Sequence, residues 1–135
     1  MSAINFKTEL SGSFDEVIAQ VTDALKNEGF GILTRIDLHL KFREKLGKEI
    51  SPAAILGACN PQLAYDAYQY NSDVASLLPC NAVVREISPG RCAVALARPS
   101  AMMEIVGDKK LVELARDAGL RLERCLNHLS SRQTA

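Results

Sequence analysis

The chain has 135 residues, and its 16 lysines and arginines balance its 16 aspartates and glutamates. This length fits one domain, and the zero net charge argues against duplex nucleic-acid binding, which rests on a surplus of basic residues. No apolar stretch approaches the roughly 20 residues that span a bilayer, and the first residues lack the pattern of a signal peptide. We therefore expect a cytoplasmic protein with neither a nucleic-acid nor a membrane partner.

The first part of the chain alternates strand and helix patterns. Residues 4–8 alternate apolar and polar side chains, which predicts a short strand. Residues 13–16, Ser-Phe-Asp-Glu, form a capping box ahead of apolar residues at helical spacing, which predicts a first helix. Apolar residues of one parity predict a second strand over residues 30–37. The spacing then changes and predicts a short amphipathic helix over residues 38–46.

The middle of the chain contains a strand followed directly by a helix. Residues 53–59 are continuously small or apolar, as in a strand that is buried on both faces. Asn60 and Pro61 come next, and they suit the N-cap and the first helical position. We therefore expect a helix that begins there and ends at about Tyr70.

The C-terminal part predicts a hairpin and two helices. Residues 80–87 and 92–97 flank the turn sequence Ser-Pro-Gly-Arg, which predicts a β-hairpin. A short helix over residues 101–106 follows, and Asp108 is placed to cap a long final helix with one apolar face. The residues from Ser130 onward are polar.

This order of elements predicts an α+β fold. We expect a two-layer α/β sandwich whose mixed sheet has about five strands, with the helices packed on one face. Only the last pair of strands has a tight hairpin turn, helices separate the others, and the order of the strands stays open. The single domain would cover residues 1–129, and residues 130–135 would form a frayed tail.

Two of the four cysteines occupy positions that are typical of reactive thiols. Cys59 ends a predicted strand just before a helix, where the helix dipole and free amides would lower the thiol pKa. Cys80 begins the next strand, so the two thiols would lie close together if these strands are neighbours. Cys92 and Cys125 fall on apolar faces and are expected in the core as reduced thiols. No Cys-x-x-Cys motif supports a zinc site.

The remaining chemical signals are weak. Neither a Gly-rich phosphate loop nor a Gly-x-Ser-x-Gly turn occurs, and His39 and His128 have no partner at metal-ligand spacing. Four basic residues within residues 41–48 are interrupted by Glu44, as on a solvated helix face. Because no catalytic set is complete, we do not expect an enzyme, and we expect neither a cofactor nor a bound metal.

Several blocks of the sequence resemble the domain-of-unknown-function 302 family. They are residues 28–37 (EGFGILTRID), Lys45-Leu46-Gly47, residues 56–61 (LGACNP) with Ala64, and residues 77–81 (LLPCN). The resemblance extends from about Phe6 to Leu126. It implies a small bacterial or archaeal protein with a compact two-layer α/β fold that forms a homodimer, and it implies no established activity. The chain departs from the family pattern at Arg98-Pro99, where Asp-Pro is expected.

These observations favour a dimeric module that binds a small molecule or anion near the Cys59-Asn60-Pro61 junction. The candidate ligand-binding residues are Cys59, Asn60, Cys80, Asp37 and Lys45. The alternative is a thiol-dependent function of Cys59 and Cys80, such as redox sensing, persulfide carriage or soft-metal handling. A third hypothesis is an interaction protein that pairs through a sheet edge or its last helix.

Overall fold

The computed structural model describes residues 4–134 of the chain. The strands are β1 (Asn5–Ser11), β2 (Gly31–Asp37), β3 (Ala53–Cys59), β4 (Cys80–Ser88) and β5 (Arg91–Ala97). The helices are α1 (Phe14–Asn27), α2 (Leu38–Leu46), α3 (Pro61–Tyr70), α4 (Pro99–Val106) and α5 (Lys109–Thr134). A 3-10 helix over Ser72–Leu77 lies between α3 and β4. The predicted α+β sandwich is therefore confirmed.

All five strands form one sheet in the order β1-β5-β4-β3-β2. The prediction of a mixed sheet is wrong, because every neighbouring pair is antiparallel. The segments that contain α2 and α3 return the chain to an adjacent antiparallel strand instead of crossing to a parallel one. The strands that α1 connects, β1 and β2, lie at opposite edges of the sheet and do not pair.

The apolar core divides into two clusters. The larger one lies between one face of the sheet and helices α1 and α5. Its largest fully buried side chains include Leu10, Val17, Val21, Leu25, Phe30, Leu56, Val84, Leu96, Leu122 and Leu129. A smaller cluster of Val74, Met103, Leu111 and Ala115 joins the 3-10 helix, α4 and the first turns of α5. Cys92 and Cys125 are buried in the larger cluster, as predicted.

Side-chain caps fix where the helices begin. At α1, Ser13 Oγ accepts from the Glu16 amide while Glu16 Oε1 accepts from the Ser13 amide, each at 3.2 Å, which is the predicted capping box. At α3, Asn60 Oδ1 accepts from the Leu63 amide at 3.1 Å. At α5, Asp108 Oδ1 accepts from the Lys110 amide at 2.8 Å. The capping residues predicted for these three helices therefore act as expected.

Two local features differ from the sequence patterns. Helix α5 continues to Thr134, into the residues predicted as a frayed tail, because no glycine or proline follows Gly119 to end the helix; Ala135 lies outside the described residues, and the fraying stays a prediction. Ser130 Oγ also lies 2.8 Å from Thr8 Oγ1 of β1. In β2, a bulge between Ile32 and Thr34 places these residues on opposite faces instead of one. Within residues 4–134, no helix has the length and apolarity to cross a membrane.

Candidate functional site

Cys59 and Cys80 lie beside each other at one end of the sheet. Cys80 pairs with Ala58 across β3 and β4, and Cys59 is the next residue along β3. Paired Cα atoms in an antiparallel sheet lie about 5 Å apart, and consecutive Cα atoms 3.8 Å, so the two cysteine Cα atoms are about 6 Å apart. Both residues are half-buried. The strand order therefore brings the backbones of the two residues together, whereas their side chains project from opposite faces of the sheet, because Cys80 shares the face of Ala58 and Cys59 follows Ala58 along β3.

A small cavity, here called the thiol cavity, lies where the two core clusters meet. Its volume is about 50 Å³, and apolar atoms form almost all of its exposed lining. The residues that line it are Phe30, Ala58, Cys59, Asn60, Leu63, Ala64, Ala67, Leu78, Cys80, Pro99, Met103, Leu111, Leu114, Ala115 and Ala118. Three of them are sulfur-containing residues: Cys59, Cys80 and Met103. The site thus combines an apolar lining with two cysteines and a methionine.

The pKa values of the Cys59 and Cys80 thiols shift in the direction opposite to the expectation. Burial raises the pKa of the Cys59 thiol. Burial and the neighbouring Cys59 together raise the pKa of Cys80 from 9.0 to about 11. The prediction that the start of a helix would lower the pKa of Cys59 is therefore wrong, because removal from water disfavours the thiolate. Both groups are neutral thiols near neutral pH.

The first turn of α3 also leaves few amides for an anion. Pro61, its first residue, has no N–H. The Leu63 amide donates to Asn60 Oδ1 and the Ala64 amide donates to Asn60 O, at 3.1 and 3.0 Å. Gln62 therefore has the one remaining N–H group of the first three helical residues. Together with the apolar lining, this disfavours the anionic ligand that the sequence suggested.

Asn60 holds the end of α1 against the beginning of α3. Only 9% of the residue is exposed. A Cβ atom at Gly29 would lie 2.9 Å from Asn60 Nδ2, so only glycine leaves room for this approach. Gly29 also has a φ of +85°, which favours glycine. The Asn60 side chain therefore packs directly against Gly29, the residue before Phe30, and both Asn60 and Phe30 line the thiol cavity.

Two of the five predicted ligand-binding residues lie elsewhere. Asp37 pairs with Ala54, at the opposite end of β3 from Cys59. At about 3.4 Å per residue, this places Asp37 about 17 Å from Cys59 along the sheet. Its carboxylate forms an ion pair with Arg35 at 3.0 Å. Lys45 lies on the exposed helix α2. The structure thus brings together Cys59, Asn60 and Cys80, and separates them from Asp37 and Lys45.

Met103 is the residue of this site that the sequence did not indicate. The pair Met102-Met103 is typical of a core filler, and Met103 is indeed 95% buried, with 5% exposed. Its position beside Cys80 depends on how α4 packs at the end of the sheet. No spacing in the sequence could have shown that contact.

The family model "Domain of unknown function DUF302" matches residues 6–129. The chain belongs to the DUF302 family. The crystal structure of an uncharacterized conserved DUF302 protein from Bacillus stearothermophilus is 31% identical and has a TM-score of 0.86. The match covers 95% of this chain and 99% of that one. No curated protein matches the chain. The resemblance inferred from the sequence is confirmed.

Arg98, where the sequence resemblance led us to expect an aspartate, lies at the start of α4. Arg98 occupies the N-cap position and provides no side-chain cap, which an aspartate there would. The Arg98 guanidinium carbon instead lies 5.5 Å from the centre of the Phe6 ring. Pro99, the next residue, lines the thiol cavity. Arg98 therefore lies next to the candidate site.

Proposed function

We propose that this DUF302 protein is a small-ligand-binding module, not an enzyme, and that the thiol cavity is its site. The observation that carries the proposal is the position of Cys59, Asn60 and Cys80, which surround one apolar cavity. Apolar, largely pre-formed cavities with a few specific groups are the usual sites for small molecules. The lining favours an apolar or sulfur-binding ligand over the anion that the sequence suggested.

The small volume of the thiol cavity limits the affinity for any ligand that forms no bond to a sulfur atom. Its volume of about 50 Å³ is about a third of the 150 Å³ that accommodates benzene. We therefore expect room for about two to four non-hydrogen atoms. At about −1.5 kcal/mol per atom, the best binding free energy is about −6 kcal/mol, weaker than the −8.2 kcal/mol of micromolar binding. Tighter binding requires a coordinate or covalent bond, or an opening of the cavity.

A thermal-shift series with small apolar compounds tests the proposal. A compound at ten times its dissociation constant should stabilise the protein by about 1.4 kcal/mol, or about 5 °C in melting temperature for a chain of 135 residues. Ala64→Val adds two methyl groups to the lining and should abolish this shift. Ala101→Val changes a half-buried α4 residue outside the lining and should preserve it. The same shift in all three proteins would exclude the thiol cavity as the site.

The second candidate is a thiol-dependent function of Cys59 and Cys80, which their adjacent positions favour. It requires reduced thiols, as in the cytoplasm. Because burial raises the pKa of both thiols, we expect slow alkylation by iodoacetamide near neutral pH and an increasing rate toward pH 11. Fast alkylation of either residue at pH 7 would instead support a nucleophilic or redox role. Mass spectrometry of the alkylated peptides distinguishes the two sites.

We also propose that the protein is a homodimer, with a second copy packed on α2. Helix α2 has no buried residue, although Leu38, Phe42 and Leu46 recur at helical spacing. The ion pairs Lys41–Glu44 and Arg43–Glu49 neutralise four charges, and Lys45 and Lys48 leave residues 38–49 with a net charge of +2. The contact between two copies would therefore rest on the apolar side chains and not on the charges.

Light scattering after gel filtration tests this dimer. Phe42→Glu should convert it to a monomer, because it introduces a charge into the apolar stripe. Tyr65→Glu provides the control, since Tyr65 is an exposed aromatic residue on α3. A wild-type protein that is monomeric at high concentration would contradict the dimer.

A further inference from the structure

We propose that helix α3 is a lid over the thiol cavity, that a hydrogen bond between Tyr70 and Asp108 holds it closed, and that its opening admits apolar ligands larger than the closed cavity. The inference rests on the proposed role of the thiol cavity as a ligand site, and it adds how access to that site is controlled.

Helix α3 forms part of the cavity wall and is the least buried part of it. Leu63, Ala64 and Ala67 line the cavity and are half-buried, whereas the other seven residues of the helix are exposed. Helix α1, by contrast, has five buried residues. Segments with few buried apolar side chains open at a lower free energy than the whole protein unfolds. We therefore expect α3 to separate from the core while α1 stays folded.

The rest of the wall belongs to better buried elements. Met103 of α4 and both Leu111 and Ala115 of α5 line the cavity and are buried in the smaller core cluster. Apolar atoms form almost all of the exposed lining. Displacement of α3 would therefore uncover an apolar surface that accepts molecules too large for the closed volume of about 50 Å³.

The C-terminal end of α3 is connected to the beginning of α5 by one polar contact. The Tyr70 hydroxyl donates to the Asp108 carboxylate, at 3.1 Å from Oδ1 and 3.0 Å from Oδ2. Asp108 also caps α5, because its Oδ1 accepts from the Lys110 amide at 2.8 Å. The Tyr70–Asp108 bond lies at the surface, where water can replace it when the lid opens. The contact therefore holds the lid without preventing its release.

Hydrogen exchange measured by mass spectrometry tests the lid. In wild-type protein, the amides of residues 65–70 should exchange faster than those of α1. Tyr70→Phe removes the hydroxyl but keeps the ring, and it should speed exchange of residues 65–70 about fivefold, as expected for the loss of one typical hydrogen bond. Tyr68→Phe is the matched control and should exchange like wild type, because the exposed Tyr68 hydroxyl has no hydrogen-bond partner among residues 4–134.

Binding of Nile red, a neutral apolar dye too large for the closed cavity, tests access. The apparent dissociation constant of a ligand that binds only the open protein falls in proportion to the open fraction. Tyr70→Phe should therefore bind the dye about fivefold more tightly than wild type or Tyr68→Phe. Exchange of residues 65–70 as slow as that of α1 in wild type, or equal exchange and equal dye affinity in the two tyrosine variants, would overturn the inference. Faster exchange of α1 and residues 65–70 alike in Tyr70→Phe would also overturn it.

The thermal-shift series separates this inference from the proposed function. Shifts by small apolar compounds that Ala64→Val abolishes, with equal exchange in Tyr70→Phe and Tyr68→Phe, would support the site and refute the lid. Faster exchange of residues 65–70 in Tyr70→Phe alone, with no thermal shift by any compound, would support the lid motion and refute the ligand site.

Discussion

Gly57 lies at the contact between the central strands and the loop that leads to Cys80. It pairs with Thr34 on β2 and with Asn81 on β4. A Cβ atom at this position would overlap Thr34 Oγ1 and lie 2.8 Å from Pro79 Cγ, closer than Cβ atoms approach other atoms. Thr34 is exposed, so its side chain can rotate away. The ring of Pro79 is fixed to the backbone, so a Gly57→Ala substitution must displace the segment that precedes Cys80.

We expect Gly57→Ala to lower the free energy of unfolding by about 1–3 kcal/mol, the usual effect of overpacking. Gly31→Ala is the matched control on β2, because a Cβ atom there meets no other heavy atom within 4 Å. That change should be neutral or stabilising by up to about 1 kcal/mol. In urea, with a slope of about 1–3 kcal/mol per molar, the two unfolding midpoints should differ by roughly 1 M. Equal midpoints would refute the packing of Pro79 on β3.

Two further predictions concern stability. Asn60→Ala should lower the free energy of unfolding by about 0.5–2 kcal/mol through loss of the bond to the Leu63 amide; Asn60→Asp keeps the acceptor and should retain most of this stability in urea unfolding. Burial, with a contribution from Glu28, raises the pKa of Cys125 from 9.0 to about 12, so the unfolded chain loses this proton first. Stability should therefore fall as pH rises from about 9 to 12, by at most about 4 kcal/mol. Cys125→Ala should show a shallower fall over this pH range, and an unchanged slope would contradict the assignment.

The sequence predicted the helices and strands well, because the interactions that begin and end them act between residues close together in the chain. The capping box at Ser13 and the Asn60-Pro61 pair begin helices where expected, since each acts on amides two to three residues away. The bulge near Leu33 was not visible, because a bulge depends on how the partner strand aligns. The antiparallel order of the whole sheet depends in the same way on contacts between distant segments.

The candidate site was predicted in part. Cys59 and Cys80 were identified by their positions at strand ends, and the register of β3 and β4 brings them together. The pKa of Cys59 was misjudged because burial cannot be inferred from its place before a helix. Asp37 and Lys45 were included from their place in the family resemblance, which carries no information about distance. Met103 was missed because α4 reaches the cavity through tertiary packing alone.

The central claim is that the thiol cavity accepts a ligand, and a crystal structure determined under xenon pressure tests it most directly. Xenon binds apolar cavities without hydrogen bonds or charge. We predict one xenon atom among Cys80, Met103 and Ala64 in the wild-type protein, and none there in Ala64→Val. An empty thiol cavity in the wild-type crystal, with xenon bound only at other places, would contradict the account.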